Sequence, residues 1–490
     1  MDFVKIPGSA NTSSMSRRAF FGAGGVSLAS MSMSQLAAAA GGPGPRLSHS
    51  APRARSVIFL FQVGGPSQLD LFDPKPEVNR RHGEELPESL LKQVSFAQIQ
   101  EKRPRLMGSP YRFRRHGQSG AWVSELMPHT AGIVDQITIA RTLRTDDTNH
   151  MFAELLMNTG WRRFGRPSLG SWVAYGLGSQ SQEMPAFLVL GTKPRSKSAN
   201  YGNGFLPSQF QGTVLRDAGE PILNLSNPPG VTSRRQRLSI DAINRLNRVR
   251  LDATGDDEIR ARIASYEMAF RMQARAPGLL SLGSETRETL KLYGIDDPAR
   301  PSFARNCLMA RRLVEQGVRF VQVFHGDWDH HTDIGRRLPA ECRTTDQGSA
   351  ALVIDLARRG LLDDTLVIWG GELGRTPVAQ KPMAAAGRVG RDHQIEAFTM
   401  WFAGGGVRAG QVIGETNELG CLPTEAGWHV HDLQATILHA LGLDHERLTY
   451  RYEGREFRLT DIHGEVKSEL FARSSPASGV TPASRLGRQA

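Results

Sequence analysis

The sequence predicts an α/β protein in which helices cover both faces of a mostly parallel sheet. Short runs rich in β-branched and aromatic residues alternate with longer segments of helical spacing, a pattern typical of strand–helix–strand units. Clusters of polar residues follow the predicted strands at positions 63, 143, 324 and 369. Because parallel strands end at a common edge of the sheet, residues distant in sequence are expected to meet there.

The predicted elements run from a first strand near residue 56 to a closing helix near residue 441. Predicted strands span residues 56–63, 137–143, 185–190, 318–324, 364–369 and 397–402. Predicted helices span residues 126–135, 151–158, 304–316, 346–359 and 432–441, and residues 74–120 are expected to be mostly loop. Residues 233–275 are Arg-rich and amphipathic, which predicts a helical insertion, over about 233–300, packed beside the sheet.

The N-terminal segment has the features of an export signal. Residues 16–21, SRRAFF, form a twin-arginine motif, and residues 22–40 are weakly hydrophobic and end in four alanines that offer a cleavage site. We therefore predict a signal peptide at 1–40, export by the twin-arginine pathway, and a periplasmic or extracellular protein. Residues 41–55 would then form a linker, 56–471 one α/β domain, and 472–490 a disordered tail.

Composition and charge limit the classes of partner. The 490-residue chain has a formal net charge of +11, which falls to +9 without the three basic and one acidic residues of 1–40, so anionic partners are favoured. The basic residues are dispersed and no zinc-finger spacing occurs, which argues against nucleic-acid binding. The one long apolar segment, at 22–40, is rich in Gly and Ser and predicts no stable membrane span. The sequence gives no indication of the oligomeric state.

The end of the predicted strand 318–324 is the most informative segment. Its next seven residues, HGDWDHH, hold three histidines and two aspartates, and such groups at the end of a buried strand are typical of a metal or acid–base site. Asp327 and Asp329 both have a spacing to His331 that allows ligation, and spacing alone does not choose between them. The alternative interpretation is a polar loop that caps a strand.

Two further candidate ligands lie later in the chain. Glu372 follows the predicted strand 364–369 in a Gly-flanked loop, where a buried carboxylate needs a metal, a catalytic role or a tight hydrogen bond. His393 lies beside Asp392 and is a candidate ligand. The alternative for this segment is a surface ion pair between Arg391 and Asp392 beside a passive histidine.

Polar residues also follow the first two predicted strands. Ser67 and Asp70 come after Gly64-Gly65 and could face the rim, although a turn is an equally common use of such residues. Thr148, Asn149 and His150 stand just before a predicted helix, a position that stabilises anions. Thr148 as a nucleophile or His150 as a ligand would fit there, whereas the alternative is that Thr148 or Asn149 only caps the helix.

Mixed histidine and carboxylate ligands suit Zn or Mn, and Mg or Ca would also fit if water completes the shell. A divalent cation would polarise an ester oxygen and promote hydrolysis. Arg375 and Arg391 lie beside the clusters and suit an anionic substrate. With Ser67 and Asn149 they form the predicted substrate-binding set.

Six segments of the chain carry a family resemblance. They are GGPSQLDLFDPKP (64–76), TNHMFAELLMNTG (148–160), ARRLVEQGVRFVQVFHGDWDHH (310–331), WGGELGRTP (369–377), GRDHQIEAFTMWFAGGGVRAG (390–410) and HDLQATILHALGLDHERLTYRYEGREFRLTDIHG (431–464). Together they resemble the bacterial family called domain of unknown function 1501, which is common among exported proteins. That family is in turn similar to the alkaline phosphatase and sulfatase superfamily, which implies an alkaline phosphatase-like fold for residues 56–471.

The resemblance also implies roles for individual residues. Asp329 and His331 match the W-D-x-H segment of the family and are therefore preferred to Asp327. The order of the superfamily's site, with ligands after the first strand, a nucleophile at a helix N-terminus and late ligands, implies metal ligation by Asp70, Asp329, His331, Glu372 and His393. It implies catalytic roles for Thr148 and His150.

One departure from the superfamily pattern limits the chemistry. His150 stands where a sulfatase would have its Cys or Ser, and the C-x-P-x-R signature of formylglycine enzymes is absent there. A formylglycine sulfatase is therefore not expected. Thr148, Ser67 or a water molecule activated by the metal would have to attack the ester.

These observations predict an exported, metal-dependent hydrolase-like protein. Its substrate would be an anionic phosphate or sulfate ester, either a small molecule or a carbohydrate. The competing hypothesis is a non-catalytic exported binding or envelope-associated protein that retains the fold.

Overall fold

The computed structural model describes residues 48–99, 101–191, 194–217, 222, 227–380 and 389–472. The predicted signal peptide, the first part of the predicted linker and nearly all of the predicted tail lie outside these ranges. The described residues from 48 onward belong to one compact unit. No helix within the described ranges has both the length and the hydrophobicity needed to cross a membrane.

The strands of the described chain are numbered in chain order. They are β1 Ser56–Gln62, β2 Phe113–His116, β3 Ala121–Ser124, β4 Ile137–Arg144, β5 Phe187–Gly191, β6 Thr213–Val214, β7 Phe320–His325, β8 Thr365–Gly370, β9 Gly374–Ala379, β10 Arg391–Gln394, β11 Phe398–Ala403, β12 Gln411–Ile413, β13 Trp428–His429, β14 Tyr450–Tyr452 and β15 Arg455–Phe457. Each of the six predicted strands is present, with its ends within two residues of the predicted ones.

The α-helices are numbered in the same way. They are α1 Gln68–Leu71, α2 Pro76–Arg80, α3 Glu88–Leu91, α4 Pro128–Ala131, α5 His150–Thr159, α6 Leu169–Leu177, α7 Ser233–Thr254, α8 Asp257–Leu280, α9 Arg287–Tyr293, α10 Phe303–Glu315, α11 Ile334–Arg358 and α12 Val430–Ala440. Short 3₁₀ helices occur at Val134–Gln136, Lys197–Tyr201, Ser208–Phe210, Leu282–Ser284 and Ser468–Leu470.

The central sheet has the strand order β12-β4-β11-β8-β1-β7-β5-β6, and β13 also pairs with β4. Among the described strands of this central sheet, only β11 runs antiparallel to its neighbours, and the other pairs are parallel. The predicted mostly parallel sheet is therefore confirmed. The carboxyl ends of β1, β4, β7 and β8 and the start of β11 share one edge of this sheet, called the rim below.

Helices cover both faces of the sheet, as predicted. Ile58 and Leu60 of β1 join one apolar cluster, which includes residues of α10 and α11. Val57, Phe59 and Phe61 join a second cluster, which includes residues of α5, α6 and α12. Successive strand residues point to opposite faces, so residues 57–61 of β1 are all apolar because both faces of the strand are buried.

Three predicted segments differ from the structure. The helix expected at 126–135 is present only as the short α4 and the 3₁₀ helix Val134–Gln136. The helix expected to begin at residue 346 begins at Ile334 and contains Pro339, and Ile334, Leu338 and Cys342 are buried at four-residue spacing along it. Burial of this apolar stripe offsets the loss of the one backbone hydrogen bond that proline cannot donate. The segment expected as loop, 74–120, contains α2, α3 and β2.

Candidate metal centre

The loop after β7 reaches the rim because one tryptophan anchors it. Trp328 is fully buried, and its indole Nε1 donates to Gln62 Oε1 at 2.9 Å. Asp327 turns the chain with a φ of 76°. Gly64, at the end of β1, has a φ of 109°, and a Cβ there would lie 2.7 Å from the Asp329 nitrogen. Only glycine therefore permits the close approach that brings Asp329 to the rim.

Four side chains converge at this point: His150, Asp329, His331 and His393. One potential ligand atom from each lies within 4.8 Å of the others. His150 is the first residue of α5, Asp329 and His331 lie in the loop after β7, and His393 lies on β10. The Asp329 Oδ1 atom is 2.7 Å from His331 Nε2, 3.1 Å from His150 Nε2 and 3.4 Å from His393 Nε2.

Hydrogen-bond acceptors fix the orientation of the imidazoles. His150 Nδ1 lies 2.5 Å from Glu372 Oε1, and His393 Nδ1 lies 2.5 Å from the Thr148 carbonyl oxygen. A carbonyl and a carboxylate oxygen accept hydrogen bonds, so each Nδ1 carries the proton and each Nε2 keeps its lone pair. Both Nε2 atoms therefore face the cluster as potential metal ligands, an arrangement common at metal centres.

His331 is oriented in the same manner. Its Nδ1 pairs with the side-chain oxygen of Gln380, whose amide nitrogen donates to Gln98 Oε1 at 2.8 Å. Its Nε2 lies 2.9 Å from His393 Nε2. Two ring nitrogens that both present lone pairs repel each other at this distance unless a proton or a cation lies between them.

The donor set fits a divalent cation. Within the described chain, His150 Nε2 is buried without a well-aligned hydrogen bond, although it is 3.1 Å from Asp329 Oδ1. A cation bound by this atom, by the other two Nε2 atoms and by the carboxylate would satisfy all four. Three imidazoles and one carboxylate suit Zn or Mn better than Mg or Ca, which prefer oxygen ligands.

Electrostatics keep the central carboxylate ionised. Burial raises the pKa of Asp329, but the contacts of its carboxylate with the three imidazoles and the charge of Arg375 outweigh burial and hold this pKa well below its usual range. Burial lowers the pKa of His393 to about 4. Burial also lowers the pKa of His150, but Asp329 and Glu372 outweigh it and raise that pKa above its ordinary value.

Glu372, expected as a ligand, lies behind His150 and outside the four-residue cluster. The Glu372 side chain is fully buried. Its Oε1 accepts hydrogen bonds from Gly64 N, at 2.9 Å, and from His150 Nδ1. Its Oε2 is buried without a hydrogen-bond partner among the described residues. The carboxylate is therefore placed to orient His150. The sequence pattern could not distinguish this role from direct binding of the metal.

Asp70 and Arg391 also lie apart from the cluster, because they pair with each other. Arg391 Nε and Nη2 donate to the two Asp70 oxygens at 2.7 and 3.0 Å, and Ser67 Oγ donates to Asp70 Oδ2 at 2.5 Å. All three side chains are buried. The alternative of a surface ion pair between Arg391 and Asp392 is therefore wrong. The structure also does not bring Ser67, Asp70 or Arg391 to the candidate metal position.

Arg375 is buried at the rim and holds loops together. It donates to Gly65 O at 2.9 Å and to Asp329 Oδ1 at 2.7 Å. Its guanidinium is fully enclosed, so the structure does not expose the charge that the sequence assigned to substrate binding.

A cavity of about 320 Å³ opens beside the cluster. It is lined by Ala97, Gln98, Thr148, Asn149, His150, Met151, Arg195 and His393. Asn149 caps α5, because its side chain accepts from Met151 N at 3.0 Å. Asn149 therefore caps the helix, as the alternative interpretation of this segment predicted. Both Asn149 and Thr148 also line the cavity.

Arg195 was missed by the sequence analysis. Its Nη2 lies 2.5 Å from Asp329 Oδ2, and its side chain is 45% exposed in the cavity wall. Glu154, on α5, fixes this loop by accepting from Arg195 N at 3.2 Å and from Ser196 N at 3.0 Å. No local pattern marked Arg195, since it lies in a loop-rich segment far along the chain from every cluster.

Asp392 holds a second loop over the site. Its Oδ2 accepts from the backbone nitrogens of Ala97, Gln98 and Ile99 at 2.9, 2.9 and 3.3 Å. Since Asp392 precedes His393, the cavity wall formed by this loop is tied to the strand that carries a candidate ligand.

The fold and the cluster together define an α/β protein with a candidate metal centre at the carboxyl edge of its parallel strands. The chain belongs to the family described as Protein of unknown function (DUF1501), whose sequence profile matches residues 54–471. The family resemblance predicted from the sequence is thereby confirmed. A search of the curated proteins found no match.

Solved structures similar to this chain come from the alkaline phosphatase and sulfatase superfamily. The lipoteichoic acid synthase LtaP from Listeria monocytogenes is 11% identical over 84% of this chain and 77% of its own, with a TM-score of 0.34. The phosphonate monoester hydrolase SpPMH from Silicibacter pomeroyi is 11% identical over 86% and 78%, with a TM-score of 0.32. The alkaline phosphatase from the Antarctic bacterium TAB5 is 10% identical over 80% and 99%, with a TM-score of 0.32. Similarity at this level carries no argument about activity.

Replacing Glu372 tests its orienting role. We expect Glu372→Gln to weaken divalent-metal binding about 10- to 100-fold, the usual effect of removing the group that orients a ligating histidine. The measurement is a competition titration with a chromophoric chelator. The control is Glu341→Gln, because Glu341 also pairs with a histidine, His325, at 2.8 Å but outside the cluster. Equal metal affinity in the wild-type chain and Glu372→Gln would contradict the assigned role.

Proposed function

We propose that the chain is a metal-dependent hydrolase that acts on anionic phosphate or sulfate esters. The observation that carries the proposal is the convergence of His150, Asp329, His331 and His393 on one point, with their ligand atoms within 4.8 Å of each other, beside an open cavity. A structural ion would need no cavity, whereas a catalytic one needs access for substrate. Zn or Mn is the proposed metal, held by these four residues.

When bound by these four residues, a divalent cation would supply Lewis-acid polarisation of an ester oxygen and stabilisation of developing negative charge. The residues of the chain provide the rest. Arg195 presents a guanidinium to the cavity and is suited to orient an anionic group by charge-assisted hydrogen bonds. Glu372 holds the His150 ring in place, and Asp392 holds the loop that closes one side.

Thr148 is the proposed nucleophile if attack comes from the protein, since it lines the cavity and its carbonyl already accepts from His393. Ser67 is a poorer candidate, because its buried hydroxyl donates to Asp70. A formylglycine mechanism is not proposed. The three cysteines, Cys307, Cys342 and Cys421, are all buried, and none lines the cavity.

The proposal includes export by the twin-arginine pathway, which is supported by the SRRAFF segment at 16–21. Fractionation of the producing cells tests it, and a chain retained with the cytoplasmic markers would contradict it.

The deciding experiment combines metal analysis with ester assays on the purified chain. We expect one Zn or Mn ion per chain and turnover of an aryl phosphate or an aryl sulfate, lost on chelation and restored by the metal. Comparison of the two substrates assigns the ester class. Bound metal without turnover of either ester would favour a non-catalytic exported protein. Absence of bound metal would contradict the metal centre and with it the proposed hydrolase.

Arg195 provides a test of substrate binding. We expect Arg195→Ala to raise KM for the anionic ester about 10- to 100-fold, because a hydrogen bond to a charged group contributes about 1.5–3 kcal/mol. Arg195→Lys should recover part of this loss, since it keeps the charge but not the fork of donors. Arg162→Ala is the matched control, because Arg162 is a similarly exposed arginine that pairs with Asp147. A fall in kcat with KM unchanged would contradict a role in binding the ground-state substrate.

A further inference from the structure

Helix α7 lies on the outside of the protein and is attached through α8. Among the residues of α7 only Asn244 is buried. Helix α8, by contrast, contributes Ile259, Met272 and Leu280 to the interior. One side of α7 therefore contacts its neighbour, and the rest of its surface faces solvent.

A polar network lies on the side of α7 that faces α8. Arg237 donates to the two Glu267 oxygens at 2.8 and 2.9 Å, and Asn244 Nδ2 donates to Glu267 Oε1 at 2.8 Å. Surface helices ordinarily turn their apolar stripe to the protein and their polar face to water. Helix α7 instead places Arg237 and Asn244 on this side, at helical spacing with the half-buried Ile240 and Leu251.

The apolar stripe of α7 points outward. Leu238, Leu246 and Val249 are 62%, 73% and 71% exposed, and Ala242 is exposed between them. At about 100° per residue these four positions fall within a quarter of the helix circumference. Single exposed apolar residues are ordinary, but an aligned set indicates an interaction surface.

Charge indicates the kind of partner. Helix α7 contains six arginines and two aspartates, and its exposed arginines are Arg234, Arg235, Arg245, Arg248 and Arg250. If a second copy of the chain bound through this face, two basic helices would lie against each other, and their arginines would repel. An anionic surface, in contrast, complements both the arginines and the apolar stripe.

We propose that α7 docks the protein on an anionic lipid bilayer. The 22-residue helix, about 33 Å long, would lie along the membrane surface. Its side chains Leu238, Leu246 and Val249 would insert at the boundary between the lipid headgroups and the acyl chains. The arginines beside the stripe contact lipid phosphates. This is the geometry of an interfacial amphipathic helix. The inference does not depend on the metal centre or on the proposed activity.

Vesicle sedimentation of the purified chain tests the proposal. We expect binding to phosphatidylcholine vesicles that contain phosphatidylglycerol and little binding to phosphatidylcholine alone. Leu246→Asp should weaken binding at least about tenfold, since an inserted apolar side chain is replaced by a charge. Ile462→Asp is the matched control, because Ile462 is 76% exposed outside α7 and the charge change is identical. Replacing Arg248 by Gln should weaken binding about fivefold, as expected for one basic residue near an anionic membrane.

Three outcomes would overturn the proposal. The first is absence of binding to the anionic vesicles by the wild-type chain. The second is equal binding by the wild-type chain, Leu246→Asp and Ile462→Asp, which would leave only surface electrostatics. The third is a wild-type oligomer in sedimentation velocity that is lost in Leu246→Asp without any vesicle binding, which would make the face an interface between copies. Far-ultraviolet circular dichroism and ester turnover should be unchanged in all variants, because the substituted side chains are exposed.

Discussion

Asp329→Asn is expected to remove the bound metal and to lower ester turnover about a thousand-fold. The proposed metal ion would supply several kcal/mol of charge stabilisation, and about 1.4 kcal/mol corresponds to each factor of ten in rate. Asp329 is the one carboxylate among the four converging side chains. Asparagine keeps the shape and an oxygen but not the negative charge, so the cation would be held by neutral ligands only. Metal analysis and steady-state kinetics provide the two measurements.

Asp327→Asn is the matched control for this substitution. Asp327 lies two residues away on the same loop, is exposed, and has a φ of 76°, which asparagine tolerates. We expect metal content and turnover close to those of the wild-type chain. Retention of both properties by Asp329→Asn, or their loss in both variants, would contradict the assignment of Asp329 as the central ligand.

Asp70→Ala is expected to destabilise the folded chain by about 3–5 kcal/mol without removing the metal. The Asp70–Arg391 pair is buried, with its nearest atoms 2.7 Å apart, and loss of one partner leaves the other as an uncompensated buried charge. Chemical denaturation measures the loss, and metal analysis of the folded variant tests whether Asp70 is a ligand. Metal-free folded Asp70→Ala would contradict its placement outside the site.

Two controls separate this buried ion pair from ordinary surface charge. Glu77→Ala breaks an exposed ion pair with Arg80 and should leave the free energy of unfolding almost unchanged. The double variant Asp70→Leu with Arg391→Met should recover much of the stability, because an apolar pair needs no charge compensation. An equal loss in the single and double variants would show that the ion pair itself is not the cause.

The stabilisation from Asp70 depends on pH in a defined direction. Burial raises the pKa of the Asp70 carboxyl. The charge and hydrogen bonds of Arg391 and the hydrogen bond from Ser67 outweigh burial and lower this pKa below its ordinary value. The stabilisation is therefore complete above the unfolded pKa of about 4 and is lost as the pH falls through the folded value. The difference in unfolding free energy between the wild-type chain and Asp70→Ala should narrow in acid.

Much of the fold could be predicted because burial leaves a local signal. Strands β1 and β8 are buried on both faces, so residues 57–61 and 366–369 are uninterrupted apolar runs. Strand β11 is also fully buried, and Thr399 is the one polar residue in it. Helix α11 was predicted too short because Pro339 is an unfavourable local signal. The burial of Ile334 and Leu338 outweighs the unfavourable effect of Pro339 on the helix. This burial depends on the other elements that pack against the helix, so the local sequence does not reveal it.

Helix α7 shows a second limit of local patterns. Its amphipathic spacing predicted a helix, and the helix is present. The insertion was expected to pack beside the sheet, and α8 does contribute Met272 and Leu280 to the interior. Helix α7 instead turns Arg237 and Asn244 towards Glu267 and leaves Leu246 and Val249 exposed. Periodicity defines a stripe on a helix but not the surface that the stripe contacts.

The sequence by itself determined the class of fold, the family and the segments that meet at the rim, because strand and helix patterns and the order of parallel strands are local or topological properties. It identified Asp329, His331 and His393 as ligand candidates and His150 as a ligand or catalytic residue. Only the tertiary structure separated the residues that converge, His150 among them, from the buried carboxylates that pair elsewhere. The physical reason is that a buried carboxylate needs an ion-pair or hydrogen-bond partner, and that partner comes from a distant part of the chain: Arg391 for Asp70 and His150 for Glu372.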